Sequence, residues 1–297
     1  MALSKFGTIL IPLDGSERAA SALGCGAWLA ERLDARLHVV SVMSAPLPGS
    51  AMTQLKVPPR LQHLVTLHHG VGRDPQEAIV ATAERLGADL LVMSARGESA
   101  RLTGVDDSDD AELIGHVTRQ VIETTARPVI VLPPGYTERL PWRSLLVPMS
   151  GETRTDAALA LALKLANALG IRVAVAHVMD SEPGQAQLAR LARYQDAPHH
   201  ELHARLDEMI ARACPMCDAA ELAGIDDVML CRGDAAAEFV RLVRERNVSL
   251  VVVGWHGWFM NGHARVLKDL MREVPVLLWR TQARELFRLR VGELLER

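Results

Sequence analysis

The most compact arrangement of reactive side chains in the sequence is Cys214-Pro-Met-Cys217. Two cysteines at this spacing serve zinc binding or thiol–disulfide chemistry. His199 and His203 precede them at an i, i+4 spacing, which can place two imidazoles on one face of a helix. A continuous helix from His203 to Cys214 would hold the two groups about 16 Å apart. The histidines and the Cys-x-x-Cys pair are therefore not expected to form one site.

Cys231 offers another ligand, because it closes a predicted strand at the end where His199 and His203 are expected. We favour surface histidines and structural thiols over a metal centre at these positions, so no metal site is predicted. For Cys214 and Cys217, a thiol switch and a metal site remain as alternatives to a purely structural role.

Strand and helix patterns alternate along the whole chain. Apolar runs such as those at 8–13 and 37–42 are typical of buried strands, whereas segment 17–34 has the apolar spacing of a helix. Asp74-Pro75 marks another helix start. This alternation predicts an α/β fold with doubly wound, open parallel sheets.

The pattern repeats in the second half of the chain. The run Ile9-Leu-Ile-Pro-Leu-Asp14 matches Leu145-Leu-Val-Pro-Met-Ser150, and Pro133-Pro-Gly-Tyr136 lies between the halves like a linker. A chain of 297 residues has room for two domains of about 150 residues each. We predict a first domain over 1–135, a second over 140–280, and an amphipathic C-terminal helix over 281–297.

Ligands of such sheets bind at the carboxyl edge of the strands, so the loops that follow the strands are the places to search. In the first half, Asp14 follows the first strand, Val40 lies in the second strand, and the turn before Asp74 follows the third strand. A glycine-bearing stretch follows the fourth strand of each half. In the first half it contains Gly97, Gly115 and His116, and in the second half it contains Gly254, Gly257, Gly262 and His263.

These residues, in this order and repeated twice, carry a family resemblance. The chain resembles a tandem universal stress protein with two UspA-type domains. The resemblance covers nearly all of 6–279, from the Pro-x-Asp-Gly-Ser-Glu run at 12–17 to the Pro-Val-hydrophobic last strands. It implies two five-stranded sheets of the adenine nucleotide alpha hydrolase-like fold, with strand order 3-2-1-4-5. It also implies pairing of the two halves through their last strands, at 128–132 and 275–279, and the C-terminal helix adds a candidate homodimer contact.

The nucleotide-binding branch of this family binds ATP or a related adenine nucleotide, and Mg²⁺ is expected only together with it. The resemblance assigns the adenosine end to Asp14, and the phosphates to the glycine motif Gly-x-x-Gly, a spacer, and Gly followed by Ser or Thr. Val40, in the second strand, is a further candidate cofactor-binding residue. Glycine lets backbone N–H groups approach phosphate oxygens, and a helix start favours an anion. The matching residues are Gly97, Gly115 and His116 in the first half, and Gly254, Gly257, Gly262 and His263 in the second.

Each half departs from the family motif in a different way. The first half keeps Asp14 but has Ser94 in place of the first glycine, and its spacer, 98–114, is long and contains an acidic cluster between Asp106 and Glu112. Carboxylates close to a phosphate would repel it by about 1 kcal/mol or more per pair. The second half keeps its glycines but replaces Asp14 by Ser150 and has a short spacer, 258–261. The first half is the better candidate site.

Composition excludes several classes of protein. The net charge of -3 gives no electrostatic basis for nucleic acid or membrane surfaces as partners. No apolar stretch has the length of a membrane span, and four cysteines suit a reducing compartment, so a cytoplasmic protein is predicted.

We therefore predict a non-catalytic stress-response module that acts on an unidentified protein partner, with an adenine nucleotide in the first half. A nucleotide-free scaffold is the alternative. Catalysis beyond slow ATP hydrolysis is not expected, because no nucleophile and base pair stands at the matched positions.

Overall fold

The structure, a computed structural model, describes residues 6–41, 51–70, 74–97, 113–137, 139–150, 156–179, 207–208, 210–215, 217–255 and 263–280. The chain divides into two compact units. The first consists of Met1–Trp142 with Val274–Arg297, and the second of Arg143–Glu273. The segment predicted as a C-terminal helix, 281–297, lies outside the described residues.

The first unit alternates strands and helices as the apolar pattern predicts. Its strands are β1 (Thr8–Leu13), β2 (Arg36–Ser41), β3 (Val65–His69), β4 (Leu90–Ser94), β5 (Val129–Leu132) and, from the end of the chain, β10 (Val276–Arg280). Every residue of β1, β4 and β5 is buried, as parallel strands covered on both faces require.

Helices connect these strands. They are α1 (Glu17–Ala20), α2 (Ala22–Leu33), α3 (Ala51–Gln54), α4 (Pro75–Leu86) and α5 (His116–Thr124), with a 3₁₀ turn at Pro59–Leu61. The helix predicted over 17–34 is interrupted at Ser21, which separates α1 from α2. Asp74 caps α4 as predicted, because its side chain accepts a hydrogen bond from the Gln76 N–H.

The strand order of the first sheet is β3-β2-β1-β4-β5-β10. The pairs β1–β2, β2–β3, β1–β4 and β4–β5 are all parallel. The order 3-2-1-4-5 is thus confirmed for the first half. The chain ends its second half with β10, which pairs antiparallel with β5 in the register Leu277 to Ile130. The pairing between last strands that the resemblance implies is present within this unit.

The second unit repeats the same order with the strands β6 (Ser144–Pro148), β7 (Arg172–Met179), β8 (Ile225–Arg232) and β9 (Leu250–Trp255). Parallel pairs join β6 to β7, β6 to β9, and β7 to β8. Its helices are α6 (Asp156–Leu169), α7 (Ala219–Leu222), α8 (Ala235–Glu245) and α9 (His263–Glu273). No helix within the described ranges is both long enough and apolar enough to cross a membrane.

Candidate functional site

The carboxyl ends of β1, β2, β3 and β4 meet at one edge of the first sheet, because these strands run parallel. Asp14 follows β1, and Gly97 lies three residues beyond the end of β4. Val40 lies in β2 opposite Pro12 of β1 and His68 of β3. The fold therefore brings the predicted residues of the first half to a common edge.

Asp14 is held by the turn that leads into α1. Its Oδ1 accepts a hydrogen bond of 3.0 Å from the backbone N–H of Ser16. Ser16 in turn caps α1, since its Oγ accepts the N–H of Ala19 at 3.0 Å. Gly15 between them has a φ of 85°, a left-handed conformation that favours glycine. The Asp-Gly-Ser sequence thus fixes a half-buried carboxylate at the end of β1.

Gly97 lies directly against this carboxylate. A β-carbon built on Gly97 would lie 2.3 Å from Oδ2 of Asp14 and 3.3 Å from its Cγ. The two residues that the sequence assigned to opposite ends of a ligand are therefore in contact. Glycine is required at position 97 by its contact with Asp14, before any ligand is considered.

Gly115 places the start of α5 at the same edge. Its N–H donates a 2.7 Å hydrogen bond to the carbonyl oxygen of Ala95, which follows β4. The buried Thr118 hydroxyl donates to the carbonyl oxygen of Ser94 at 3.1 Å. These two bonds tie the first turn of α5 to the end of β4. His116, the first residue of α5, is exposed.

The start of α5 has the features of an anion-binding helix terminus. Gly115 is its N-cap and has no side chain to satisfy the first backbone N–H groups. The first-turn N–H groups of a helix, together with the helix dipole, favour a negatively charged ligand at such an end. Gly115 and His116 thus stand at the first turn of α5, and their roles toward a ligand stay predictions.

Arg96 belongs to this edge, although the sequence analysis overlooked it. Its Cα and Cγ lie 3.6 and 4.0 Å from the position a β-carbon on Gly115 would take. The half-buried Arg96 therefore lies beside Gly115 at the start of α5. The signal in the sequence was its position between Ser94 and Gly97, in the loop after β4.

Gly70, also overlooked, closes the other end of the edge. Its N–H donates to the carbonyl oxygen of Ser41 at 2.8 Å. A β-carbon there would lie 3.1 Å from Cβ of Ala78 and 3.4 Å from Cγ2 of Val40. The buried Val40 side chain therefore packs beside the backbone of Gly70.

A histidine pair lies on the neighbouring strands. His38 Nδ1 and His68 Nε2 are 2.9 Å apart, so one imidazole donates a hydrogen bond to the other. Burial lowers the pKa of His38, and the charges of His68, Arg36 and Arg85 act in the same direction. Burial, Arg85 and His69 likewise lower the pKa of His68. Both imidazoles are therefore held in the neutral form more strongly than a solvated histidine.

In the second unit, the described residues cover only part of the matching edge. Gly254 is half-buried in β9, and His263 begins α9, whereas Gly257 and Gly262 lie outside the described residues. Ser150, which replaces Asp14, is exposed. His177 in β7 lies with Nδ1 2.7 Å from the Met149 carbonyl oxygen, just before Ser150.

The thiols and histidines considered for metal binding are only partly described. Cys214 is buried, and Cys217 and Cys231 are half-buried, while His199 and His203 lie outside the described residues. Among the residues that the structure describes, no group of three or more potential ligands could hold a metal ion. The acidic cluster between Asp106 and Glu112 also lies outside them.

Comparison with known proteins agrees with the repeat and the fold. The model of the universal stress protein family matches residues 5–133 and again residues 141–276. No curated protein matches the sequence significantly.

Among solved structures, a crystal structure assigned to a universal stress protein of Pseudomonas aeruginosa is 14% identical, with a TM-score of 0.61, and covers 93% of each chain. A universal stress protein from Archaeoglobus fulgidus is also 14% identical, with a TM-score of 0.57, covering 94% of this chain and 98% of its own. At this identity the likeness establishes the fold, namely two tandem domains of the adenine nucleotide alpha hydrolase-like class.

Proposed function

Because the chain belongs to the universal stress protein family, we propose that its first unit binds an adenine nucleotide, ATP in the first instance. The proposed ligand lies at the carboxyl edge of the first sheet. Asp14 and Val40 would contact its adenosine part, and Gly97, Gly115 and His116 its phosphates. Mg²⁺ would enter only with the nucleotide.

The observation that carries this proposal is the contact between Asp14 and Gly97. A β-carbon at 97 would lie 2.3 Å from Asp14 Oδ2, so the acid and the phosphate loop lie at one place on the sheet edge. The start of α5 adds the positive end of a helix dipole to this edge, and Arg96, whose Cγ lies close to Gly115, adds a cation to the same loop. A carboxylate, a glycine loop and a helix start thus lie together at this edge, which supports binding of a ligand that carries both hydroxyl and phosphate groups.

The second unit is the weaker candidate for the same ligand. Ser150 lacks the carboxylate that Asp14 supplies, and a serine hydroxyl cannot form a charge-assisted hydrogen bond with a ribose hydroxyl. Gly254, Gly257, Gly262 and His263 would then serve as a degenerate phosphate loop.

We further propose that the protein acts in the cytoplasm as a stress-response module without turnover, through a change in its contacts with a protein partner. Asp14, the candidate acid at the edge, already accepts a hydrogen bond from the Ser16 N–H. It is thereby oriented as a fixed acceptor for a ligand hydroxyl.

All four cysteines are thiols, which suits the reducing compartment of the cytoplasm.

The test is binding of ATP and AMP to the purified full chain, with and without Mg²⁺, by calorimetry and by thermal unfolding. Binding at a concentration of about one hundred times Kd should stabilise the folded chain by about 2.7 kcal/mol. Asp14→Ala should weaken affinity at least about tenfold, or about 1.4 kcal/mol.

Asp226→Ala provides the control, because Asp226 is an exposed carboxylate of β8 whose partner is Arg172. It should leave the affinity for ATP unchanged. If neither ATP nor AMP produces heat or shifts the unfolding temperature, the nucleotide-free scaffold is the correct function. If the purified chain released inorganic phosphate from ATP on the time scale of enzyme turnover, the proposal that the protein acts without turnover would be contradicted.

A further inference from the structure

The backbones of Cys214 and Cys217 in the second unit are hydrogen-bonded to each other. The pair follows a helical segment at 210–213, where the Cys214 N–H donates to the carbonyl oxygen of Ile210 at 3.0 Å. The Cys217 N–H then donates to the carbonyl oxygen of Cys214 at 3.2 Å. A turn with this hydrogen bond brings its first and last Cα atoms within about 7 Å. A disulfide requires a Cα separation of about 4.4 to 6.8 Å, so the backbone already suits one.

The side chains of Cys214 and Cys217 interact. The Cys214 thiol donates to Cys217 and lowers the pKa of the Cys217 thiol, and Lys164 of α6 acts in the same direction against burial and Glu221. Cys214 is 6% exposed, whereas Cys217 is half-buried. Cys217 is thus the more exposed residue of the pair, which suits it as the attacking thiol and Cys214 as the resolving thiol.

The other two cysteines lack this arrangement. Cys25 is fully buried in α2. Burial and Glu238 raise the pKa of the Cys231 thiol in β8, which disfavours its thiolate. Selective chemistry at one pair is therefore expected.

We propose that Cys214 and Cys217 are a reversible redox site, which forms an intramolecular disulfide by exchange with a low-molecular-weight disulfide such as oxidised glutathione. This site lies in the second unit and is independent of the nucleotide proposal for the first. The backbone hydrogen bond between Cys217 and Cys214 and the greater exposure of Cys217 carry it.

The exchange proceeds in two displacements. The Cys217 thiolate attacks one sulfur of the small disulfide, forms a mixed disulfide, and expels one thiolate. Cys214 loses its proton to solvent and attacks the Cys217 sulfur, which closes the internal disulfide and expels the second thiolate. The protein loses two electrons and two protons, and the small disulfide becomes two thiols.

The experiment equilibrates the reduced full chain without oxygen in mixtures of reduced and oxidised glutathione, traps thiols with N-ethylmaleimide, and maps them by peptide mass spectrometry. The expected result is a Cys214–Cys217 disulfide that disappears as reduced glutathione increases, with Cys25 and Cys231 still present as thiols. Cys231→Ser should behave as the wild type.

Single variants distinguish the two roles. Cys214→Ser should accumulate a stable glutathione adduct at Cys217, because the resolving thiol is missing, whereas Cys217→Ser should form neither adduct nor internal disulfide. Circular dichroism shows whether each variant is folded, and a double variant of Cys25 and Cys231 to Ser tests the pair in an otherwise thiol-free chain.

Three outcomes would overturn the proposal. The first is full alkylation of all four cysteines in oxidised glutathione alone. The second is a stable mixed disulfide at Cys217 in the wild type with no internal bond. The third is stoichiometric zinc in the isolated chain that is released only when Cys214 and Cys217 are alkylated, which would make the pair a metal site.

Discussion

The Asp14 carboxylate occupies the space that any side chain at position 97 would need. Asp14 cannot simply move aside, because its Oδ1 also accepts the Ser16 N–H at the start of α1. The end of β1 and the loop after β4 are therefore in close contact at Oδ2 of Asp14.

We expect Gly97→Ala to destabilise the first unit by about 1–3 kcal/mol, because the added methyl group must displace Asp14 or the loop. Urea unfolding monitored by circular dichroism measures this change. Gly7→Ala is the matched control, since a β-carbon there would lie 3.8 Å from a different carboxylate oxygen, Oδ2 of Asp89. Its effect should remain within about 0.5 kcal/mol. Equal effects of the two substitutions would contradict the close fit.

Stability should decrease as the pH falls below the ordinary histidine pKa of 6.5, because His38 and His68 have lowered pKa values in the folded chain. The unfolded chain then takes up protons first, so the free energy of unfolding declines from pH 6.5 down to the lowered folded-state pKa values. Urea unfolding between about pH 7.5 and about pH 5 measures how steeply the free energy of unfolding changes with pH.

His68→Gln should flatten this pH dependence, because it removes one of the two titrating imidazoles and the positive charge opposite the other. His63→Gln is the control, since His63 is exposed and lies outside the hydrogen-bonded pair. If the unfolding free energy depends on pH equally in His68→Gln and His63→Gln, the His38–His68 pair does not cause the loss of stability at acidic pH.

Trp142 is expected to anchor the end of the first unit. It is 2% exposed, its ring meets Trp28 edge-on at a centroid distance of 5.2 Å, and its Nε1 donates to the Tyr136 hydroxyl at 3.4 Å. Trp142→Ala should cost about 3–5 kcal/mol of unfolding free energy, measured by urea unfolding. Trp142→Phe, which keeps an aromatic ring against Trp28, should lose less than half as much. A loss below about 1 kcal/mol for alanine would show that this packing is not structural.

The strands and helices were predictable because their signals are local. The buried run of β1, the Asp74 cap and the apolar spacing of the helices each involve residues within a few positions of one another. The interruption of the first helix at Ser21 was not predicted, because the apolar spacing continues through it. The parallel order of the sheet followed from the repeated alternation and the family resemblance.

The candidate site was predictable only in part. Asp14, Gly97, Gly115 and His116 were proposed from the order of short motifs, and as ligand contacts they too stay predictions. Arg96 and Gly70 were overlooked, because their importance depends on the backbone that they approach rather than on a motif. Gly257 and Gly262 stay predictions, since they lie outside the described residues.

The sequence by itself determined the order of elements, the duplicated pattern and the types of residue at the strand ends, because these depend on local spacing and side-chain chemistry. Only the tertiary structure decided that Asp14 lies against Gly97, that His38 bonds to His68, and that Trp142 packs on Trp28. Each of these contacts joins residues far apart in the chain. Such contacts depend on how strands and helices pack, to within fractions of an ångström, which no local pattern encodes.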